Sequence, residues 1–134
     1  MRFVLDVNVL ISGLLSGIGA PARLLERWLE GELELVVCEK LLDELERALR
    51  TPKLRRRVAQ ENARDFVALI RDLAELVPDP ADPPPIRSQD PGDDYLIALA
   101  AREHARLVSG DAHLLGLSEA LPVFSPRAAL DLLH

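Results

Sequence analysis

The stretch that decides the fold is MRFVLDVNVL, residues 1–10, in which Arg2–Asp6 (RFVLD) reads as a short β-strand ending on an acid. Glu34–Cys38 (ELVVC), Arg106–Ser109 (RLVS) and Pro122–Phe124 (PVF) are further apolar runs of the same kind, and Ala74–Val77 is an ambiguous one. Between them, apolar residues recur at helical spacing. Leu24, Leu25, Trp28 and Leu29 fit one helix; Leu41, Leu42, Leu45, Ala48 and Leu49 fit a second. Phe66, Val67, Ile70, Leu73 and Val77 fit a third, and Leu96, Ile97, Ala100 and Ala101 a fourth. Thr51-Pro52 and Ser125-Pro126 each place a capping hydroxyl before a proline at the first helical position. Short continuous apolar strands alternating with helices predict an α/β fold, a parallel sheet covered on both faces.

The chain has 134 residues, about one domain, so residues 1–134 are expected to share one core. A hydrophobic share of 49% with 28% charged residues excludes global disorder. No apolar run approaches the ~18–20 residues of a membrane span. The opening segment carries Asp6 and no small-residue cleavage site, so it does not read as a signal peptide. One cysteine, Cys38, forbids an internal disulfide and any multi-cysteine metal site, and a cytoplasmic location is expected. The formal charge of −6 argues against nucleic-acid binding through a uniformly basic surface. An enzyme that grips its substrate through metal ions must itself be acidic at the site. Pro78–Pro91, with six prolines, is expected to be an extended, stiff loop inside the domain.

In open parallel sheets, ligands bind beyond the carboxyl ends of the strands. Asp6 follows the first strand and Asp111 follows RLVS, so both fall on one edge of the sheet. Each could equally be a helix N-cap. Asp43 lies with Glu39, Glu46, Arg47 and Arg50 on a polar helix face, whereas Glu44 falls beside the apolar stripe of Leu41, Leu45 and Ala48. Glu44 is therefore either a boundary residue reaching outward or an acid aimed into a pocket. Asp93 and Asp94 open the helix DDYLIALAA, where acids favour the helix dipole, and either could face the sheet edge. Several carboxylates a few ångströms apart repel one another unless a cation compensates. An oxygen-only cluster selects a hard cation such as Mg²⁺ or Mn²⁺, and phosphodiester hydrolysis is the chemistry that needs one.

Four blocks in register carry a resemblance: VLDVNVLIS (Val4–Ser12), LLDEL (Leu41–Leu45), DPGDDYLIALA (Asp90–Ala100) and LVSGDAHLL (Leu107–Leu115). They resemble the PIN-domain ribonucleases, close to the VapC-type toxins of toxin–antitoxin pairs. The resemblance implies a three-layer α/β/α fold around a central parallel sheet of four to five strands. It implies Asp6, Glu44, Asp94 and Asp111 as the catalytic and metal-binding acids, with Asp93 the alternate to Asp94, and Asn8 and Ser109 as hydrogen-bonding support. It implies Mg²⁺ or Mn²⁺ as cofactor, an RNA substrate, an antitoxin protein as a partner, a homodimer, and no membrane. Departures are Ser109, where the family often has threonine, and His113 with Leu114, where a further aspartate often stands.

The function expected is thus a metal-dependent endoribonuclease acting as the toxin of a toxin–antitoxin pair. Two rivals stand beside it. A haloacid-dehalogenase-type phosphatase also opens with a strand ending in aspartate, but needs a second aspartate where Asn8 stands. A non-catalytic acidic protein-binding module would use the acids to hold a partner's arginines. Arg47, Arg50, Arg55 and Arg56, within a cluster that includes Lys53 and Arg57, could track an RNA backbone or form a solvated face. Cys38 reads as a small buried hydrophobe, Trp28 as core or interface, and His104 and His113 as surface or capping residues.

Overall fold

A computed structural model describes residues 1–81 and 91–133. Five strands form one all-parallel sheet: β1 (Arg2–Leu5), β2 (Glu34–Val37), β3 (Glu75–Leu76), β4 (Arg106–Val108) and β5 (Val123–Phe124), in the order β3-β2-β1-β4-β5. Register is set by Phe3 beside both Leu35 and Arg106, Val37 beside Leu76, and Val108 beside Phe124. The first three strands step outward in one direction, and the chain then returns to lay β4 against the other side of β1. That reversal, between β1 and β4, is the place where a doubly wound sheet opens a crevice beyond its carboxyl ends.

Helices cover both faces, giving three α/β/α layers. α1 (Val7–Leu15), α2 (Ala20–Leu29), α3 (Glu39–Leu49), the single turn α4 (Pro52–Arg55) and α5 (Gln60–Leu73) connect the strands on one side of the switch. α1 packs on α2 and α3, and α3 on α5. A 3₁₀ turn at Pro91–Asp93 leads into α6 (Asp94–Arg102), which packs on β1 and β4. Right-handed crossovers place that returning helix on the opposite face. α7 (Ala112–Leu115) follows β4, and α8 (Pro126–Asp131) packs on α2 and β5. Phe3, Leu5, Leu10, Leu24, Leu35, Leu42, Leu96 and Leu107 are fully buried in one core, each worth about 1.5–3 kcal/mol over an exposed position. Gly13 lets α1 and α2 approach, because a Cβ there would meet the Leu25 side chain and lie 3.1 Å from the Pro21 carbonyl oxygen.

Several local expectations change. The third helix stops at Leu73, and Val77 lies past the two-residue strand β3, its N–H donating to the Val37 carbonyl. Joining the edge of the sheet outweighs the helical spacing of the side chains. Of the two proline-led caps, Ser125 accepts from the Ala128 N–H as expected, but the Thr51 hydroxyl donates back to the Ala48 carbonyl at 2.8 Å instead of capping α4. α1 escapes a periodicity search because VNVLISGLL is apolar on nearly every face. Most of the proline-rich stretch lies outside the described residues. Its first part is tied down: Asp79 accepts from the Lys40 N–H at 3.0 Å, and Arg102 donates to the Pro78 and Asp79 carbonyls.

At the amino edge of the sheet, Arg2 gathers three acids. Its guanidinium meets Glu75 at 2.8 Å, Glu103 at 3.2 Å and Glu34 at 3.6 Å, and donates to the Glu103 carbonyl. Among the described residues, no single helix is long and apolar enough to cross a membrane.

Candidate functional site

The carboxyl edge of β1 and β4 presents polar groups where the core beneath is apolar. Asp6 leaves β1 with its N–H donating to the Val108 carbonyl, so the ladder between the two strands continues up to the acid. It precedes α1, yet its side chain makes no capping bond; instead the Ser109 hydroxyl donates to its Oδ2 at 2.8 Å. Asp6 is 6% exposed and Ser109 wholly buried. Burial pushes the Asp6 carboxyl above its ordinary value. The hydrogen bonds from Ser109 and the Val7 N–H oppose that rise, while the negative charges of Asp111 and Glu44 add to it. A buried aspartate raised by other acids is what a carboxylate cluster looks like from the inside.

Ser109 ties this acid to the next. While its hydroxyl donates to Asp6, its oxygen accepts from the Asp111 N–H at 2.9 Å. Asp111, half-buried, does cap its helix, accepting from the His113 N–H at 2.7 Å through Oδ1. His113 therefore enters by its backbone, and its exposed side chain takes no part.

Glu44 comes to the site across the top of the sheet from α3. It is half-buried, while Asp43 beside it is exposed, as their helical phases require. Its Oε2 accepts from the Tyr95 hydroxyl of α6 at 2.8 Å, which joins the two helical layers over the crevice. Tyr95 is buried, and burial first, then the Glu44 bond, raises its phenol above the ordinary value; it stays a donor. Lys40 Nζ stands 4.7 Å from the centre of that ring. Sequence reasoning passed over Tyr95, although a phenol inside an otherwise apolar helix needs an acceptor, and Glu44 was the acid without a donor.

One carboxylate oxygen is thus fixed in each of Asp6, Glu44 and Asp111. Among the described residues no ion pair reaches these three. Asp94 is buried at the first position of α6, the helix that packs on β1 and β4, and Asp93 before it is half-buried. Asn8 is exposed on α1, and among the described residues it makes no side-chain hydrogen bond. Nor do three acids or histidines among the described residues close into a group that could hold a metal ion. Carboxylates at such an edge stand apart when nothing neutralises them. The donor set itself, all oxygen, with the Asp6 anion disfavoured by burial and further by its fellow acids, fits a hard divalent cation. Cys38, buried at the start of α3, has its thiol pushed up to about 11 by burial, which keeps it an inert core residue.

Arg47 and Arg50 are exposed on α3, Arg55 on α4 and Arg56 just beyond.

The comparisons with known proteins agree with this topology. No curated protein matches the chain in sequence. Among solved structures it is similar to VapBC2 from Rickettsia felis, determined bound to a DNA fragment from their promoter. The likeness has a TM-score of 0.63 at 15% identity and covers 92% of this chain and 97% of that one, so it is a likeness of fold. A family model described as the PIN domain matches residues 2–113, a span that runs from β1 through the Asp111 cap and takes in each acid named above. The chain belongs to the PIN-domain family, whose members are generally metal-dependent nucleases.

Proposed function

We propose that this chain is a divalent-metal-dependent endoribonuclease and the toxin of a toxin–antitoxin pair, with residues 1–134 acting as one domain in the cytoplasm. The observation that carries the reading is Asp6. It is buried, makes no N-cap hydrogen bond, is held by Ser109 just past the neighbouring strand, and is disfavoured as an anion first by burial and then by the charges of Asp111 and Glu44. A purely structural aspartate gains nothing from such company. PIN membership sets aside the haloacid-dehalogenase reading, and a module that only binds arginines has no need to bury its central acid.

Asp6 and Asp94 are the principal carboxylates for Mg²⁺ or Mn²⁺, with Asp93 the alternate to Asp94, and Glu44 and Asp111 complete the set. Bound there, the cation polarises the scissile phosphate, lowers the pKa of water and steadies the leaving oxygen. The protein's part is orientation. Ser109 orients Asp6, Tyr95 orients Glu44, and the His113 N–H orients Asp111, and loading a cation would draw the acids together from these anchored positions. Asn8, exposed on α1, keeps its supporting role as a hydrogen-bonding group beside Asp6.

Mixed RNA incubated with the protein should be cut in Mn²⁺ or Mg²⁺ and left intact in EDTA; undiminished cutting in EDTA would sink the mechanism. The same reading gives the chain a cognate antitoxin and a homodimer. Sedimentation that finds only monomer at micromolar concentration and above would reject the dimer.

A further inference from the structure

The basic cluster does not form one face. Arg47 stays on the outer side of α3, but Arg50 and Arg55 turn toward α5 and, with Arg64, rim a cleft of about 380 Å³ between α3, α4 and α5. Its floor is apolar: Leu49, Val58 and Val67 line it and are each buried to 9% exposure or less. The single turn of α4 spaces the end of α3 from the start of α5, and the small side chains Ala63 and Ala68 leave the gap unfilled.

Charge decides what fits. The lining also holds Arg71, Glu46 and Asp72. Arg71 is occupied by Glu39, and Arg50 reaches Glu46 at 3.5 Å. Arg55 and Arg64 have no ion-pair partner among the described residues and outnumber the likewise unpaired Asp72, so the cleft keeps a net positive rim in a chain of net charge −6. A bare phosphate has no use for an apolar floor, and an aliphatic ligand has none for guanidiniums. A nucleotide uses both, its base against the floor or under a guanidinium plane and its phosphate on the rim.

The cleft also connects to the acids. A neighbouring depression lined by Lys40, Asp43, Arg47 and Asp79 shares Glu46 and Arg50 with it. Lys40 at its far end stands over Tyr95, which holds Glu44. At ~1.5 Å rise per residue, Arg50 lies about 9 Å along α3 from Glu44, within reach of a short single strand. We infer that the α3–α4–α5 cleft is a nucleotide subsite that holds single-stranded RNA a short way from the cut, with Arg55 and Arg64 on its phosphates. This rests on the ribonuclease reading but can be tested apart from it.

The experiment measures fluorescence anisotropy of a fluorescein-labelled RNA dodecamer with the full chain in EDTA, where nothing is cut. Arg55→Ala with Arg64→Ala should weaken binding about tenfold or more and flatten the salt dependence by about 1.4 in log–log slope, the share of two phosphate contacts on a single strand. Ala63→Leu, which keeps charge and helix propensity but fills the floor, should weaken binding severalfold with the slope unchanged. Unchanged affinity and slope in the arginine pair overturn the subsite, even if Mn²⁺-dependent cutting is seen. Equal binding of poly-L-glutamate, equally damaged by Ala63→Leu, overturns it in favour of an acidic protein segment. Cleft-dependent RNA binding without any cutting in Mn²⁺ upholds the subsite and removes the nuclease reading instead.

Discussion

The two ends of the sheet treat acids in opposite ways. At the amino edge one arginine, Arg2, serves Glu34, Glu75 and Glu103. At the carboxyl edge stand Asp6, Glu44 and Asp111, and among the described residues none of them has an ion-pair partner. The ionisation follows. Glu103 is held below its ordinary value by Arg102 and then by Arg2, while burial and its fellow acids hold Asp6 above its own. One edge is neutralised as it stands; on the proposed reading, the other takes its counter-charge from a divalent cation. Strand β1 links the two, with Arg2 at its start and Asp6 just past its end.

The contrast breaks most visibly in catalysis. Asp6→Asn, Glu44→Gln and Asp94→Asn should each lower metal-dependent RNA cleavage by about a hundredfold or more, since each removes a charged ligand. Asp43→Asn, on the exposed face of the same helix as Glu44, should retain full rate. Asp93→Asn should lose less than Asp94→Asn, because Asp94 is the more buried of the two. Tyr95→Phe should fall between, about tenfold, with a matching loss of Mn²⁺ affinity by calorimetry, because Glu44 keeps its charge and loses its anchor. Full activity in both Asp6→Asn and Glu44→Gln would put the site elsewhere.

These assignments differ in how far the sequence alone carries them. The strand-then-acid pattern of RFVLD and RLVSGD puts Asp6 and Asp111 on one edge, because strands in a parallel sheet all point the same way. Helical phase separates Glu44 from Asp43 before any coordinates are known. What spacing cannot supply is the partner of each side chain. Tyr95 and Glu44 are 51 positions apart, and Ser109 and Asp6 are 103 apart. Their meeting depends on β4 returning beside β1, a fact of topology that no local window contains. The capping alternative is resolved differently for the two aspartates for the same reason. Asp111 has a short helix at hand and caps it, whereas Asp6 is claimed by a hydroxyl from the next strand. Val77 is a miss of another kind, a residue with the right helical phase that the sheet edge captures.

The amino edge gives the intermediate effect. Arg2→Met should destabilise the fold by about 1–2 kcal/mol in urea unfolding at pH 7, a value held down by the partial exposure of its ion pairs. The lowered Glu103 carboxyl contributes stability above its ordinary value of 4.5 and loses it as pH falls through the lower folded value. The difference between wild type and Arg2→Met should therefore shrink in acid. A difference that stays constant down to pH 3 would show that Arg2 acts by packing its stem, not by pairing its charge. RNA cleavage at neutral pH should be unaffected, since the arginine lies at the far end of β1.

The smallest effect is the most discriminating, and it concerns Asp6 without metal. Its folded value lies above the ordinary 3.8, so between the two the folded chain binds more protons than the unfolded one. Stability then falls as pH rises through that window, and a constant penalty remains above it. Asp6→Asn removes the charge but keeps an oxygen to accept from Ser109, so in EDTA at pH 7 it should be as stable as wild type or slightly more so. That gain should vanish below pH 3.8, where wild-type Asp6 is protonated in both states. Adding Mn²⁺ should reverse the order, because ligand binding to the native state stabilises only the chain that still holds the ion well. The two edges would then answer acid in opposite directions, pairing lost at Arg2 and repulsion relieved at Asp6. If Asp6→Asn instead loses about 1 kcal/mol or more in EDTA at neutral pH, the Asp6 carboxylate is part of the scaffold, and the carboxyl edge is no more poised for a cation than the amino edge is.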